Sequence, residues 1–297
     1  MRYVQALCLL AALLASAAPA AAQTSGAQGP EETPHRRQLW SVASPDPNTS
    51  SRAVLFRPPG NGPFPLAVIA HATTQNALRR AQMPQPEYRA LASWFVARGY
   101  AVLVPERPGH GLTGGRYLED QGGCDSADYL NAGRATAESI ALAMNEMRKQ
   151  PFIRGDGTII VGHSAGGWGA LAMAAANPPG VRAIIAFAPG RGGHANDRPF
   201  DVCAPRRLIA AAAAFGKTAH VSVIWLVARN DSYFSLDLSR QLADAFRNGG
   251  GRVDFRELQD FQSEGHWLAE SDGGDNIYGA ALDKALKAVM TGPATTR

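Results

Sequence analysis

Hydrophobic positions along the chain fall in short runs separated by polar, glycine-rich and proline-rich breaks, and the spacing of those runs changes near His71. Before that point RRQLWSVAS, RAVLFRP and PLAVIAH follow one another quickly, parted only by PDPNTS and PPGNGPFP. Apolar runs this short, closed by turn formers, predict strands. After His71 two patterns alternate. PEYRALASWFVARG, NAGRATAESIALAMNEMRKQ, AGGWGALAMAAAN, LDLSRQLADAFRNGG and NIYGAALDKALKAVM read as helices, and YAVLVPE, GTIIVG, VRAIIAFAPG, VSVIWLVAR and GRVDFREL as strands. Continuous apolar strands between helices are buried on both faces, which predicts a mostly parallel, eight-stranded α/β sheet with helices on both sides.

One connection breaks the alternation. The stretch PGRGGHANDRPFDVCAPRRLIAAAAAFGKTAH, about residues 190–220, follows the sixth strand and holds a loop and one helix. It is expected as a short cap insertion over the carboxyl edge of the sheet, where open α/β sheets bind ligands. The amino end reads differently. MRYVQALCLLAALLASAAPAAAQ has a basic start, an apolar run and small residues ahead of Gln23, the pattern of a signal peptide over residues 1–22 cut after Ala22. Its apolar core falls short of the ~20 residues a spanning helix requires, so no stable membrane insertion is expected after cleavage. A periplasmic or secreted protein follows. Residues 23–35 are polar and rich in Gly and Pro, a flexible lead-in, and residues 36–297 form one domain.

Composition changes this picture little. The chain is 45% hydrophobic and 18% charged, ordinary for a globular protein, with a net charge of +4 that falls to about +3 once Arg2 is removed with the leader. Its basic residues are scattered among acids, with no aromatic-interleaved stripe, so no nucleic-acid partner is expected. Of three cysteines Cys8 leaves with the leader, and Cys124 and Cys203 remain in a compartment where disulfides persist. Pairing them would tie the cap to the body.

The chemistry centres on Gly162-His163-Ser164-Ala165-Gly166, a G-x-S-x-G set between a predicted strand and a predicted helix. There the two glycines permit a sharp turn that holds the serine exposed, and the Ala165 N–H at the helix start faces the place where an acyl oxyanion would form. A serine hydroxyl needs a base, and the base an orienting acid, here in the order Ser, acid, His. Of His35, His71, His110, His163, His194, His220 and His266, only His266 follows the strand VSVIWLVAR and sits in a loop, DFQSEGHWLAE. Asp231 closes the preceding strand on the serine's edge; a helix N-cap is its alternative use. The second oxyanion donor is expected in IAHATTQNALRR, from the backbone of Thr73 or Ala72, with His71 stabilising the turn.

These residues carry a resemblance. HATT, ASWFVARGYAVLVPERPGHG, GHSAGG, ARNDSYF and EGHWL, spread from Arg36 to Met290, are similar to the α/β-hydrolase superfamily, near its dienelactone-hydrolase-like and peptidase-like group of exported bacterial serine hydrolases. The resemblance implies the α/β-hydrolase fold, with Ser164 as nucleophile, Asp231 as acid and His266 as base. Two departures stand out: His71-Ala72 replaces the frequent His-Gly, and a dienelactone hydrolase proper uses a cysteine nucleophile, so no lactonase activity is carried over. The expected activity is hydrolysis of a small-molecule carboxylic ester through an acyl-enzyme, without metal or organic cofactor. The alternatives are an exopeptidase or acyl-peptide hydrolase with the same triad, and a non-catalytic binding protein on the same scaffold. Tyr233, Phe234, Trp267 and Arg191 are candidate substrate contacts.

Overall fold

Each central strand presents alternate residues to two separate hydrophobic layers. In the strand Leu66–Ala70, Leu66, Val68 and Ala70 join one layer while Ala67 and Ile69 join the other. The strand Val223–Ala228 divides the same way, with Val223 and Trp225 on one side and Ile224, Leu226 and Ala228 on the other. That period of two is what the unbroken apolar runs imply for strands covered on both faces. The computed structural model describes residues 23–291, so the expected leader, residues 1–22, lies outside the described residues.

Among the described residues there are nine strands: β1 (Gly26–Ala27), β2 (Gln38–Val42), β3 (Ser51–Phe56), β4 (Leu66–Ala70), β5 (Ala101–Pro105), β6 (Thr158–His163), β7 (Val181–Phe187), β8 (Val223–Ala228) and β9 (Val253–Leu258). They lie in the order β1-β2-β3-β5-β4-β6-β7-β8-β9. The first three and β5 pair antiparallel, and every pair from β5 to β9 is parallel. Seven helices connect them: α1 (Ala77–Ala81), α2 (Arg89–Val96), α3 (Tyr129–Arg148), α4 (Ala165–Ala176), α5 (Pro205–Gly216), α6 (Leu236–Gly249) and α7 (Asp275–Thr291). Helices α3 to α6 supply one layer, including Tyr129, Trp168, Phe215 and Phe246, and α2 and α7 supply the other, including Phe95 and Tyr278. Full burial of one such side chain contributes roughly 1.5–3 kcal/mol.

All eight expected strands form. The ninth, β1, comes from the segment expected to be a flexible lead-in, and that expectation is corrected here. Gly26 and Ala27 pair with Ser41 and Trp40, and the Gln23 side chain donates to the carbonyls of Ser44 and Asp46 at 3.0 and 2.6 Å. The cause is backbone pairing along the open edge of β2, which polar composition neither favours nor forbids.

The cap insertion follows β7, the sixth strand before β1 is counted. It holds a short 3-10 turn at Ala195–Asp197 and the helix α5. Cys124 and Cys203 are bonded, joining the loop before α3 to the segment before α5. We expect neither thiol to react with an alkylating agent until the folded protein is reduced, and intact-mass measurement before and after reduction checks this.

Candidate active site

The carboxyl ends of β4, β6, β8 and β9 bring four loops to one edge of the sheet, and each carries one sequence-selected residue. At the end of β6 the chain turns abruptly into α4, with Ser164 between them at φ 55° and ψ −118°. A side chain disfavours that backbone by about 1–3 kcal/mol, so the surroundings must impose it. They do so through glycine. A Cβ on Gly162 would stand 2.3 Å from the Gly166 carbonyl oxygen, and one on Gly166 would stand 2.1 Å from that of Ala70. Only glycines let β4, β6 and α4 approach this closely.

Asp231 lies three residues beyond β8 and is fully buried. Its Oδ1 accepts the N–H groups of Tyr233 and Phe234 at 2.8 and 2.9 Å, and its Oδ2 lies 3.0 Å from His266 Nδ1. The N-cap of α6 is Ser235, not Asp231, so the carboxylate is not spent there. Because a carboxylate only accepts, His266 Nδ1 carries the proton and Nε2 keeps the basic lone pair. The His266 loop is held in turn by Glu264, whose Oε1 takes the N–H groups of His266 and Ser232 at 2.9 and 3.1 Å. Tyr233 stacks on the His266 ring at 4.1 Å and 17°, and His194 of the cap stacks on the other face of Tyr233 at 3.6 Å and 8°.

Ser164 and His266 line one cavity of about 560 Å³, together with Ala165, Ala72, Thr73, Tyr233, Phe234, Trp267 and Arg191. Among the described residues the Ser164 hydroxyl has no hydrogen-bond partner, and serine–histidine bonds of this kind often tighten only with substrate in place. Ala165 opens α4, so its N–H has no helical carbonyl to bond. The Ala72 N–H is taken by the Tyr88 hydroxyl at 3.1 Å, and the Thr73 N–H is not. Thr73 Oγ1 lies 2.5 Å from His110 Nε2, while His110 Nδ1 faces the carbonyls of Arg107 and Pro108 at 3.1 Å. Burial pushes His110 down to about 4, so the ring is neutral, Nδ1 is its donor, and Nε2 accepts the Thr73 hydroxyl proton.

His71 occupies the turn as expected. Its Nδ1 is 2.6 Å from the Ala72 carbonyl and its Nε2 accepts the Arg107 N–H at 3.1 Å. Arg191 borders the cavity, but its guanidinium tips point away into a buried cluster. They donate to the Glu119 carboxylate, the Glu119 carbonyl at 3.0 Å and Thr136 Oγ1 at 2.7 Å. Arg107 Nε bonds the other Glu119 oxygen at 2.6 Å. Phe234 is buried against Gly190 and Trp267 is 38% exposed, so the one is floor and the other rim. Sequence reasoning missed Tyr88, Arg107, His110, Glu119 and the role of His163. Arg107 and His110 lie in the RPGHG stretch and His163 in GHSAGG, which was their only signal; Tyr88 and Glu119 lie outside both and had none.

Among the described residues no cluster of three or more His, Cys, Asp or Glu side chains is arranged to hold a metal ion. No helix among them is long and apolar enough to cross a membrane.

A nine-stranded, mostly parallel sheet with a serine on a strained strand-to-helix turn belongs to the α/β-hydrolase fold, and the protein is a serine hydrolase of that superfamily. The chain belongs to the serine aminopeptidase S33 family, whose model matches residues 85–248, more than half of the 297 residues. No curated protein matches the chain in sequence. Its fold is similar to that of Est1E from Butyrivibrio proteoclasticus, with 13% identity and a TM-score of 0.57 over 86% of this chain and 99% of that one. It is also similar to an esterase from Pyrococcus furiosus, with 10% identity and a TM-score of 0.57 over 91% and 98% of the two chains. The acylaminoacyl peptidase of Pyrococcus horikoshii matches at 14% identity and a TM-score of 0.53, over 77% of this chain and 37% of that one.

Proposed function

We propose that the protein hydrolyses small, polar carboxylic esters through an acyl-enzyme on Ser164. His266 takes the Ser164 proton as the hydroxyl attacks the ester carbonyl, and returns it to the departing alcohol. It then takes a proton from the water that attacks the acyl-enzyme, and the acid product leaves as Ser164 recovers its hydrogen. Asp231 holds the imidazole in the reactive tautomer and offsets its charge while it is protonated. The N–H groups of Ala165 and Thr73 receive the oxyanion; loss of one such donor typically costs ~3 kcal/mol of transition-state stabilisation.

The observation that carries the choice of ester over amino-terminal peptide is the charge of the cavity wall. Among the described residues its only lining carboxylate is Asp197, which is 83% exposed and paired with Arg79 at 3.4 Å. An aminopeptidase must bind a free ammonium group in the site, and the described residues of this lining offer no buried or unpaired acid to receive it. The family description and the likeness to an acylaminoacyl peptidase support the second reading, a peptidase acting on blocked or short peptides with the same triad. Thr73, Thr74, Gln75, Asn76, Gln121 and Asn196 make much of the wall polar. That supports short or oxygenated acyl groups over long alkyl chains. Export with cleavage after Ala22 belongs to the same proposal, and the Cys124–Cys203 pair is in keeping with an oxidising compartment.

A panel of p-nitrophenyl esters and aminoacyl nitroanilides tests it. We expect kcat/KM to be highest for acetyl and butyryl esters and to fall by about tenfold or more at decanoyl, since each extra methylene in a wall that cannot match it forfeits up to ~1 kcal/mol. Preference for the nitroanilides would favour the peptidase. Failure of the native protein to react with a fluorophosphonate would favour the binding protein.

A further inference from the structure

Four buried groups from distant parts of the chain form a single directed line of hydrogen bonds beside the site. The Ala72 N–H, just after β4, donates to the Tyr88 hydroxyl at 3.1 Å. That hydroxyl is 3.0 Å from Nδ1 of His163, the last residue of β6. His163 Nε2 is 2.7 Å from the carbonyl oxygen of His266. None of the four residues is more than 7% exposed, so water does not compete for these bonds.

Their directions follow from what each atom can do. A carbonyl only accepts, so His163 Nε2 carries the proton. A neutral imidazole protonated there has a bare Nδ1, which must accept from the Tyr88 O–H. Burial, reinforced by the neighbouring His266, keeps His163 well below the ordinary imidazole range, and burial raises the Tyr88 hydroxyl, so neither group changes state near neutral pH. The Glu270 carboxylate is 3.9 Å from His163 Nδ1, beyond hydrogen-bond reach, and a neutral ring forms no ion pair with it. Tyr88 sits ahead of α2 in the left-handed region at φ 51°, a conformation its ring accepts only with outside support.

We propose that His163 is a positioning residue that locks the backbone of His266 to the nucleophile turn, and that the same line, by occupying the Ala72 N–H, leaves Thr73 as the second oxyanion donor. The inference rests on the hydrolase reading above. His163 is covalently joined to Ser164, so the bond from its ring to the His266 carbonyl ties base to nucleophile across a single peptide link. The Asp231 bond turns the His266 ring, and the His163 bond fixes where that ring is mounted. Both are needed, because a misplacement of ~1 Å in such a pair costs on the order of 100-fold in rate.

The test uses His163→Leu, which removes both bonds, His163→Gln, whose amide N–H can still reach the His266 carbonyl, and Tyr88→Phe, which breaks the line one step earlier. For each folded variant, kcat and KM on p-nitrophenyl acetate are measured with the rate of fluorophosphonate labelling at Ser164 and the melting temperature. We expect His163→Leu to lose about 10- to 100-fold in both kcat and labelling rate with KM little changed, His163→Gln to recover most of that loss, and Tyr88→Phe to fall between. A purely structural histidine would lower the melting temperature while leaving the rate per folded molecule alone. Wild-type rates in folded His163→Leu, or equal impairment by Gln and Leu, would overturn the proposal; if His163→Leu does not fold, a wild-type rate in Tyr88→Phe does so. A wild-type protein that neither turns over ester nor labels would instead sink the hydrolase reading, and the role of His163 with it.

Discussion

Ser164→Ala is expected to lower kcat on p-nitrophenyl acetate by about 10⁴-fold or more while leaving the circular-dichroism melt within a degree or two of the wild type. On the proposed mechanism the substitution removes the atom that forms the acyl bond, and in serine hydrolases removing the nucleophile costs up to roughly 10⁶-fold. The neutrality of the fold follows from the turn. The φ of 55° at Ser164 is imposed by the close approach of Gly162, Gly166 and the Ala70 carbonyl, and alanine meets the same backbone with the same Cβ. Among the described residues the serine hydroxyl has no hydrogen bond to lose. Activity retained within tenfold of wild type would mean that ester turnover runs through another group.

The largest effect on stability is expected at Glu119. It is 3% exposed and bonded to Arg107, Arg191 and Thr136. Glu119→Ala leaves two guanidinium groups buried without their shared carboxylate, and breaking such an arrangement typically costs ~3–5 kcal/mol. That corresponds to a fall in melting temperature on the order of 10 °C. The pH dependence has a definite sign. Burial alone would raise the Glu119 carboxyl, but the two guanidiniums outweigh it and hold the group well below its usual 4.5. A depressed carboxylate contributes stability that is complete above the unfolded pKa and is lost as pH falls through the folded one. The gap between wild type and Glu119→Gln should therefore be constant from pH 6 to 8 and narrow only well into acid. Melts across pH 2–8 check both parts, and equal stability at neutral pH would remove the charge from the account.

How much of this was legible beforehand depended on whether information was local. The strands could be read because a run such as TIIVGH is apolar at both of its alternating faces, and only a sheet covered on two sides uses such a run. Ser164, Asp231 and His266 could be selected because the order of strands along the chain determines which loops share an edge. Strand β1 was not legible, since Gly26 and Ala27 contribute backbone groups alone to the edge of β2. Tyr88 and His163 are 75 residues apart, and His163 and His266 are 103 apart, so no pattern within the sequence connects them. Arg191 was readable as a charge near the cavity but not as a partner of Glu119, 72 residues earlier. The proposed choice of Thr73 over Ala72 likewise rests on Tyr88, whose hydroxyl accepts the Ala72 N–H.

The short turn of the cap ahead of α5 contributes Ala195, Asn196 and Asp197 to the cavity wall and nothing from that trio to either hydrophobic layer of the sheet. These three positions line the cavity without packing the sheet, whereas Phe234 does both. On the proposed function, substitutions at these three positions would change the shape of the cavity mouth while leaving both hydrophobic layers and the Asp231–His266 bond as they are, which makes this short turn the place to vary substrate range at least cost to the fold.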